Sequence, residues 1–203
     1  QKAIEILHES LRNKKNRGNN QELESLMLAM IEVSVENLAM TELKEDIAHF
    51  RNLCQHTHMH LVENVLKHFK NCIELMIEKL EKAQGEETLR NILSRDRNFD
   101  NVLLQDVGEA YPEDIIFQAN CELEEIEAQD KIIPSVLYYT EGCRVILDVL
   151  RQNSRLLDLY NATALKCFNF CVKYKCIREF RKLSEVLHIH FQKIVLLSKN
   201  PDQ

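Results

Sequence analysis

Apolar residues recur every three or four positions through most of this chain, a spacing that predicts long amphipathic helices. Ile4, Leu7 and Leu11 mark a first helix, which ends in a loop over Arg12–Asn20 around Gly18. Leu23, Leu26, Met27, Met30 and Ile31 open a second. Thr41 is placed as the N-cap of a third, where its hydroxyl would accept an orphan backbone N–H. That helix carries Leu43, Ile47, Phe50 and Cys54 on one side. The fourth has the clearest pattern, with Leu61, Val62, Val65, Leu66, Phe69, Cys72, Ile73, Met76, Ile77 and Leu80. So wide a stripe calls for a packing neighbour on each side.

From Gly85 to Asp130 the periodicity breaks into short apolar pieces, Leu89, Ile92 and Leu93, then Val102, Leu103 and Leu104. Gly108 and Pro112 mark a loop among them. Pro134 suits the first turn of a helix. Three long helices are expected after it, over Ser135–Gln152, Ser154–Lys173 and Cys176–Ser198, with Ser154 as a candidate N-cap. Successive antiparallel helices with short turns describe an all-α, right-handed helical-repeat array (an α-solenoid of TPR or HEAT type) of about seven to nine helices. Residues 1–84 read as the first helical pairs, 85–131 as an acidic, partly mobile connection with short helices, and 132–203 as a second helical group. The tryptophan, glycine and proline consensus of a tetratricopeptide repeat is absent, so the repeats are degenerate.

Composition sharpens this picture. Of 203 residues, 45% are hydrophobic, enough for a core, while only 4 are Gly and 3 are Pro. Turn-rich sandwiches, barrels and nucleotide-binding α/β folds need more of both. No apolar run reaches the length of a bilayer span. Seven cysteines cannot all pair within one chain, and Gln1 opens no signal-peptide pattern. Reduced thiols in the cytosol or nucleus are expected, with Cys54, Cys72 and Cys171 as small core hydrophobes. The Asn161-Ala162-Thr163 sequon is then incidental, and the start at Gln1 predicts a segment of a longer polypeptide. The net charge of −6 hides an uneven distribution. Gly85–Lys131 holds 13 acidic and 4 basic residues, and Arg151–Gln203 holds 4 acidic and 10 basic. A basic end can meet a phosphate-rich surface despite an acidic total.

The motifs of catalysis are missing. The sequence has no phosphate-cradling glycine loop, no Gly-x-Ser-x-Gly elbow and no His-Glu-x-x-His helix. Carboxylate pairs such as Glu124 and Glu125 sit in solvated acidic sequence, where nothing separates their pKa values for acid–base work. His56, His58 and His60 are the strongest metal candidates. On a helix only His56 and His60 would share a face; extended, all three would line one side. Cys167, Cys171 and Cys176 form another cluster, of which Cys167 and Cys171 share a helical face with Tyr160 and Ala164, the pattern of core packing. No catalytic residue, cofactor, metal ligand or small-molecule substrate is assigned. Two basic sets remain as candidate phosphate contacts: Lys14, Lys15 and Arg17 in the first loop, and Lys173, Lys175 and Arg178 toward the C-terminus. Phe180 and Leu183, beside the second set, fall on the apolar stripe.

Several stretches carry a family resemblance. Asp148-Val149-Leu150-Arg151-Gln152-Asn153-Ser154-Arg155 is followed by Leu159-Tyr160, Phe168-Asn169-Phe170-Cys171 and Glu179-Phe180-Arg181-Lys182-Leu183. This ordered set resembles the N-terminal helical region of one family, the largest subunit of eukaryotic translation initiation factor three. Phe50-Arg51-Asn52-Leu53-Cys54-Gln55 and the Lys14, Lys15, Arg17 loop are similar to it as well. The chain departs from the family at His56, His58 and His60 and through Gly85–Asp130.

The resemblance implies a scaffold role in translation initiation, without enzymatic activity, in a region leading into a PCI domain. It implies as partners the other factor subunits, notably a PCI-containing neighbour, together with small-subunit ribosomal proteins and rRNA or mRNA phosphates. Two alternatives stand beside it: a PCI-type component of a proteasome-lid or signalosome-like complex, and a metal-binding protein built on the histidine cluster.

Overall fold

The long fourth helix forms the axis of the structure. In the computed structural model, residues 2–12, 20–54, 58–93, 132–151 and 156–199 are described; of Asn20 and residues 193–199 only the backbone is. Eight helices lie among the described residues: α1 Lys2–Arg12, α2 Asn20–Asn37, α3 Met40–Cys54, α4 Met59–Gln84, α5 86–93, α6 132–150, α7 Leu157–Lys173 and α8 Ile177–Lys199. No strand occurs among those residues, and none of these helices is long and apolar enough to cross a membrane.

At about 1.5 Å per residue, the 26 residues of α4 span about 39 Å. Its buried residues are Leu61, Val62, Val65, Leu66, Phe69, Ile73 and Ile77, with Cys72, Met76 and Leu80 partly buried beside them. The stripe is two-sided, as its width predicts. On one side lies α2, where Glu24 accepts from Asn64 at 3.2 Å and Glu32 meets His68 at 3.2 Å. On the other side lie α6 and α7. A Cβ on Gly142 of α6 would stand 3.1 Å from Phe69 and 3.3 Å from Ile73, so that helix presses its backbone against α4. Lys166 of α7 reaches Glu74 at 2.6 Å. The paired positions climb in step on α2 and α4, and again on α4 and α7 (Glu74 with Lys166, Glu81 with Lys173). Helix α4 therefore runs parallel to α2 and to α7 within a solenoid-like array of packed helices. One apolar core runs through the described helices from Ile4 to Leu187.

Helix ends depart from the sequence expectations in small, explicable ways. Thr41 is not a cap: α3 already begins at Met40. The cause is a tight closure of α2, in which Ala39 N–H bonds to Ser34 O at 2.9 Å and Leu38 N–H to Val35 O at 3.4 Å. This is the Schellman arrangement, with Leu38 in the left-handed region at φ 54°. Pro134 does fall in the first turn of its helix, which starts at residue 132, while Ser154 lies outside the described residues. The same closure ends α7, with Cys176 N–H to Cys171 O at 2.8 Å, Lys175 N–H to Val172 O at 3.2 Å and Lys175 at φ 55°. Gly85, at φ 79°, separates α4 from α5; open space surrounds its Cβ position, so conformation alone favours glycine there.

A buried charge fastens the first helix. Asp46 of α3 is 1% exposed, and His8 Nδ1 of α1 lies 2.9 Å and 3.0 Å from its two oxygens. Nearby, Arg12 bonds Glu45 at 2.6 Å. Burial raises the Asp46 pKa, and the bond from His8 offsets only part of that rise. Ionisation of Asp46 is therefore a cost to the fold. While the group is protonated it does no harm, and its contribution to stability falls as pH climbs from the ordinary 3.8 through the raised value.

Two predictions rest on these interactions. In urea unfolding at pH 7, His8→Ala leaves a buried carboxylate unpartnered and costs about 1–3 kcal/mol, whereas Asp46→Asn stays within about 1 kcal/mol of wild type and removes the group's share of the pH dependence. Equal losses from the two changes would contradict the account of a penalised charge. Lys175→Gly relieves the left-handed residue and raises stability by roughly 0.5–1 kcal/mol. Leu38→Gly, which forfeits packing against the core, shows no such gain in the same assay.

Candidate functional site

The turn joining α7 to α8 gathers the C-terminal basic residues on a fixed backbone. The Schellman bonds leave only Tyr174, Lys175 and Cys176 between the two helices. Tyr174 and Cys176 are buried and Lys175 is exposed, so the turn is pinned from within and presents one cation outward. Arg178, in the first turn of α8, is exposed beside it, as is Arg181.

Lys173 is differently placed. Its ammonium lies 3.3 Å from Glu81 Oε1 of α4, 3.3 Å from Glu86 Oε2 of α5, and 5.0 Å above the ring of Tyr174. Desolvation pulls its pKa down, but hydrogen bonds with Tyr174, Glu81 and Glu86 prevail and hold it above the ordinary value. Tyr174 is 0% exposed, and its hydroxyl donates to Glu81 Oε1 at 2.5 Å. Burial first, and then that bond, push the phenol up to about 12, so it stays a donor at neutral pH. Arg90 of α5 completes the corner, donating from Nε to Lys173 O at 3.3 Å while Nη2 pairs Glu86 at 3.2 Å. A cation against the last carbonyls of α7 complements the helix dipole. Lys173 and Arg90 thus tie the corner to α4 and α5, and Lys175 stands exposed on its outer side.

The other sequence candidates scatter. Lys14, Lys15 and Arg17 lie outside the described residues, as does His56. His58 precedes α4 and His60 lies in its first turn, with ring centroids 6.0 Å apart and nearly perpendicular. Among the described residues, no three His, Cys, Asp or Glu side chains are gathered in a way that would hold a metal ion. Tyr160, Ala164, Cys167 and Cys171 are all buried on one face of α7, as their spacing predicts. The interaction with Cys143, and then burial, raise the Cys167 pKa against an opposing interaction with Cys171, while the interaction with Cys167, and then burial, raise that of Cys171. Such thiols are poor nucleophiles. Leu183 is buried, but Phe180 is 39% exposed, its ring set edge-on to Phe168 at 5.0 Å.

A cavity of about 340 Å³ opens between the α2–α3 turn and helices α6, α7 and α8. Leu38, Met40, Leu137 and Leu183 supply apolar walls, and Glu141, Arg144, Glu179 and Lys182 stand around it. These charges are internally matched: Glu141 bonds Lys44 and, at 2.7 Å, Arg144, while Lys182 lies 4.0 Å from Glu179. The cysteine in the lining is Cys167, whose thiol is held above its ordinary pKa. Sequence reasoning missed the Glu81, Glu86 and Arg90 corner. Its signal is the charged end of α4, which looks like any solvated helix terminus until α7 is brought against it.

Comparison with known proteins places this helical array. The family model for eIF3a, PCI domain, TPR-like region, matches residues 1–203. The A-subunit of eukaryotic translation initiation factor 3 from Neurospora crassa is 34% identical over 195 residues, which is 94% of this chain and 18% of that protein. The corresponding protein of Coccidioides immitis is 32% identical over 194 residues, with the same shares covered. The chain thus spans 18% of the length of these curated relatives. Of the two helical scaffolds that the sequence admitted, the match selects the initiation-factor one. This chain belongs to the eIF3a family, in its PCI-domain, TPR-like region.

Proposed function

We propose that this chain is a scaffold segment of translation initiation factor three, working in the cytoplasm by binding rather than by catalysis. Its partners are neighbouring factor subunits, a PCI-containing one among them, and the small ribosomal subunit. The observation that carries the ribosomal part is the exposed cation Lys175 on a hydrogen-bonded turn, with Arg178 exposed at the start of the next helix, in a chain of the eIF3a family. Exposed cations meet phosphate or acidic protein by charge without reading bases. Lys173, already matched to two carboxylates, holds the turn in place and adds little outward field. The Lys14, Lys15 and Arg17 loop supplies a second contact of the same kind. No cofactor or small-molecule substrate enters this role.

Co-sedimentation with purified small ribosomal subunits over a salt series tests it. Wild type is expected to bind at low salt and to lose affinity as salt rises. Lys175→Glu with Arg178→Glu, and separately Lys14→Glu with Lys15→Glu and Arg17→Glu, should each weaken binding and flatten the salt slope by about one for each phosphate interaction removed. Absence of wild-type binding at the lowest salt would remove the ribosome from this segment's partners. Binding unchanged by either set would move the interface to another face.

A further inference from the structure

A second surface lies next to the basic corner, and it is apolar. Leu165, Phe168 and Val172 follow one another on α7 at spacings of three and four, so they line a single stripe. Leu165 is 63% exposed and Val172 66% exposed. Phe168 meets Phe180 of α8 edge-on at 5.0 Å, which carries the stripe from one helix onto the next. Leu165 and Val172 stand off the packing face of α7, whose buried residues include Tyr160, Cys167 and Cys171, while Phe168 between them is partly buried against the core. Single exposed apolar side chains are ordinary, but a contiguous line across two helices is the kind of patch that marks an interaction site.

The rim of the patch is basic. Lys175 and Arg178 stand exposed at its corner end, and Arg181 follows Phe180 along α8. An apolar stripe with three- and four-residue spacing matches the apolar face of another helix. A basic rim favours acidic flanks on that helix. A second copy of this chain would bring the same basic rim against it, and like charges oppose that pairing.

We propose that the α7–α8 ridge docks an amphipathic helix of another component of the factor, apolar along one face and acidic at its edges. This rests on the scaffold role proposed above and names the face and partner chemistry it uses.

The test uses the full-length protein within the purified multisubunit factor. A photoreactive benzophenone side chain in place of Val172, irradiated and mapped by mass spectrometry, is expected to cross-link to a helical segment of a different polypeptide of the factor. That segment should have apolar residues at three- and four-residue spacing, flanked by Asp or Glu. Leu165→Glu with Val172→Glu should reduce incorporation into the factor roughly tenfold, with helical circular dichroism unchanged because both positions face solvent. Ile6→Glu, at a residue 63% exposed on α1, should assemble like wild type. Cross-links within the same chain, to a second copy or to RNA would overturn the proposal. So would a double variant that assembles normally beside wild type. Failure of wild type itself to enter the factor would instead bring down the scaffold role, and the ridge's partner with it.

Discussion

The two-sided burial of α4 is the constraint on which the other helices depend. A helix with a narrow apolar stripe is satisfied by one neighbour, but α4 needs two, and the chain supplies them from opposite sides in sequence. The first cover is α2, already made when α4 begins. The second is α6, whose close approach is eased by Gly142, where a Cβ would crowd Phe69 and Ile73. A glycine within a helix costs about 1 kcal/mol against alanine. Here that cost eases the contact of the second half of the array with the first. Once α6 is seated, α7 takes its place with Lys166 on Glu74 and Tyr174 on Glu81, and α8 follows through the closed turn.

Charges in this protein divide by what they can still do. Glu81, Glu86, Arg90 and Lys173 are matched to one another across three elements, with Tyr174 as the buried donor beneath them. Their contribution is alignment of the turn, and partly exposed pairs of this type add little net stability. Lys175 and Arg178 follow closely in the chain and stand exposed on the alignment the first group maintains. Neighbouring residues of the same formal charge thus differ in place, Lys173 held among carboxylates and Lys175 exposed to solvent.

The helices are largely readable in the sequence because burial writes a period into it. The ten apolar positions of α4 and the shared face of Tyr160, Ala164, Cys167 and Cys171 need only spacing. What escapes is decided by other forces. Thr41 has the chemistry of a cap, yet α3 starts earlier because Leu38 accepts a left-handed backbone, which no side-chain pattern announces. Lys173 groups with the phosphate contacts when charge is counted without partners, and its partners lie 92 and 87 residues away. Phe180 belongs to the core by period, but it lies at the margin of α8's stripe, where a ring against Phe168 leaves much of its surface exposed.

The wide separation of α4 from its second cover has a consequence during synthesis. Ile73 and Gly142 are 69 residues apart, a stretch that a ribosome elongating at about 5–20 residues per second makes in roughly 3–14 s. Helix formation takes microseconds, so α4 exists as a helix long before the residues that complete its burial have been polymerised. Through that interval the nascent chain carries a formed helix with one oily side unclaimed. Its safe passage then turns on the pace of elongation and on whatever holds that side in the meantime.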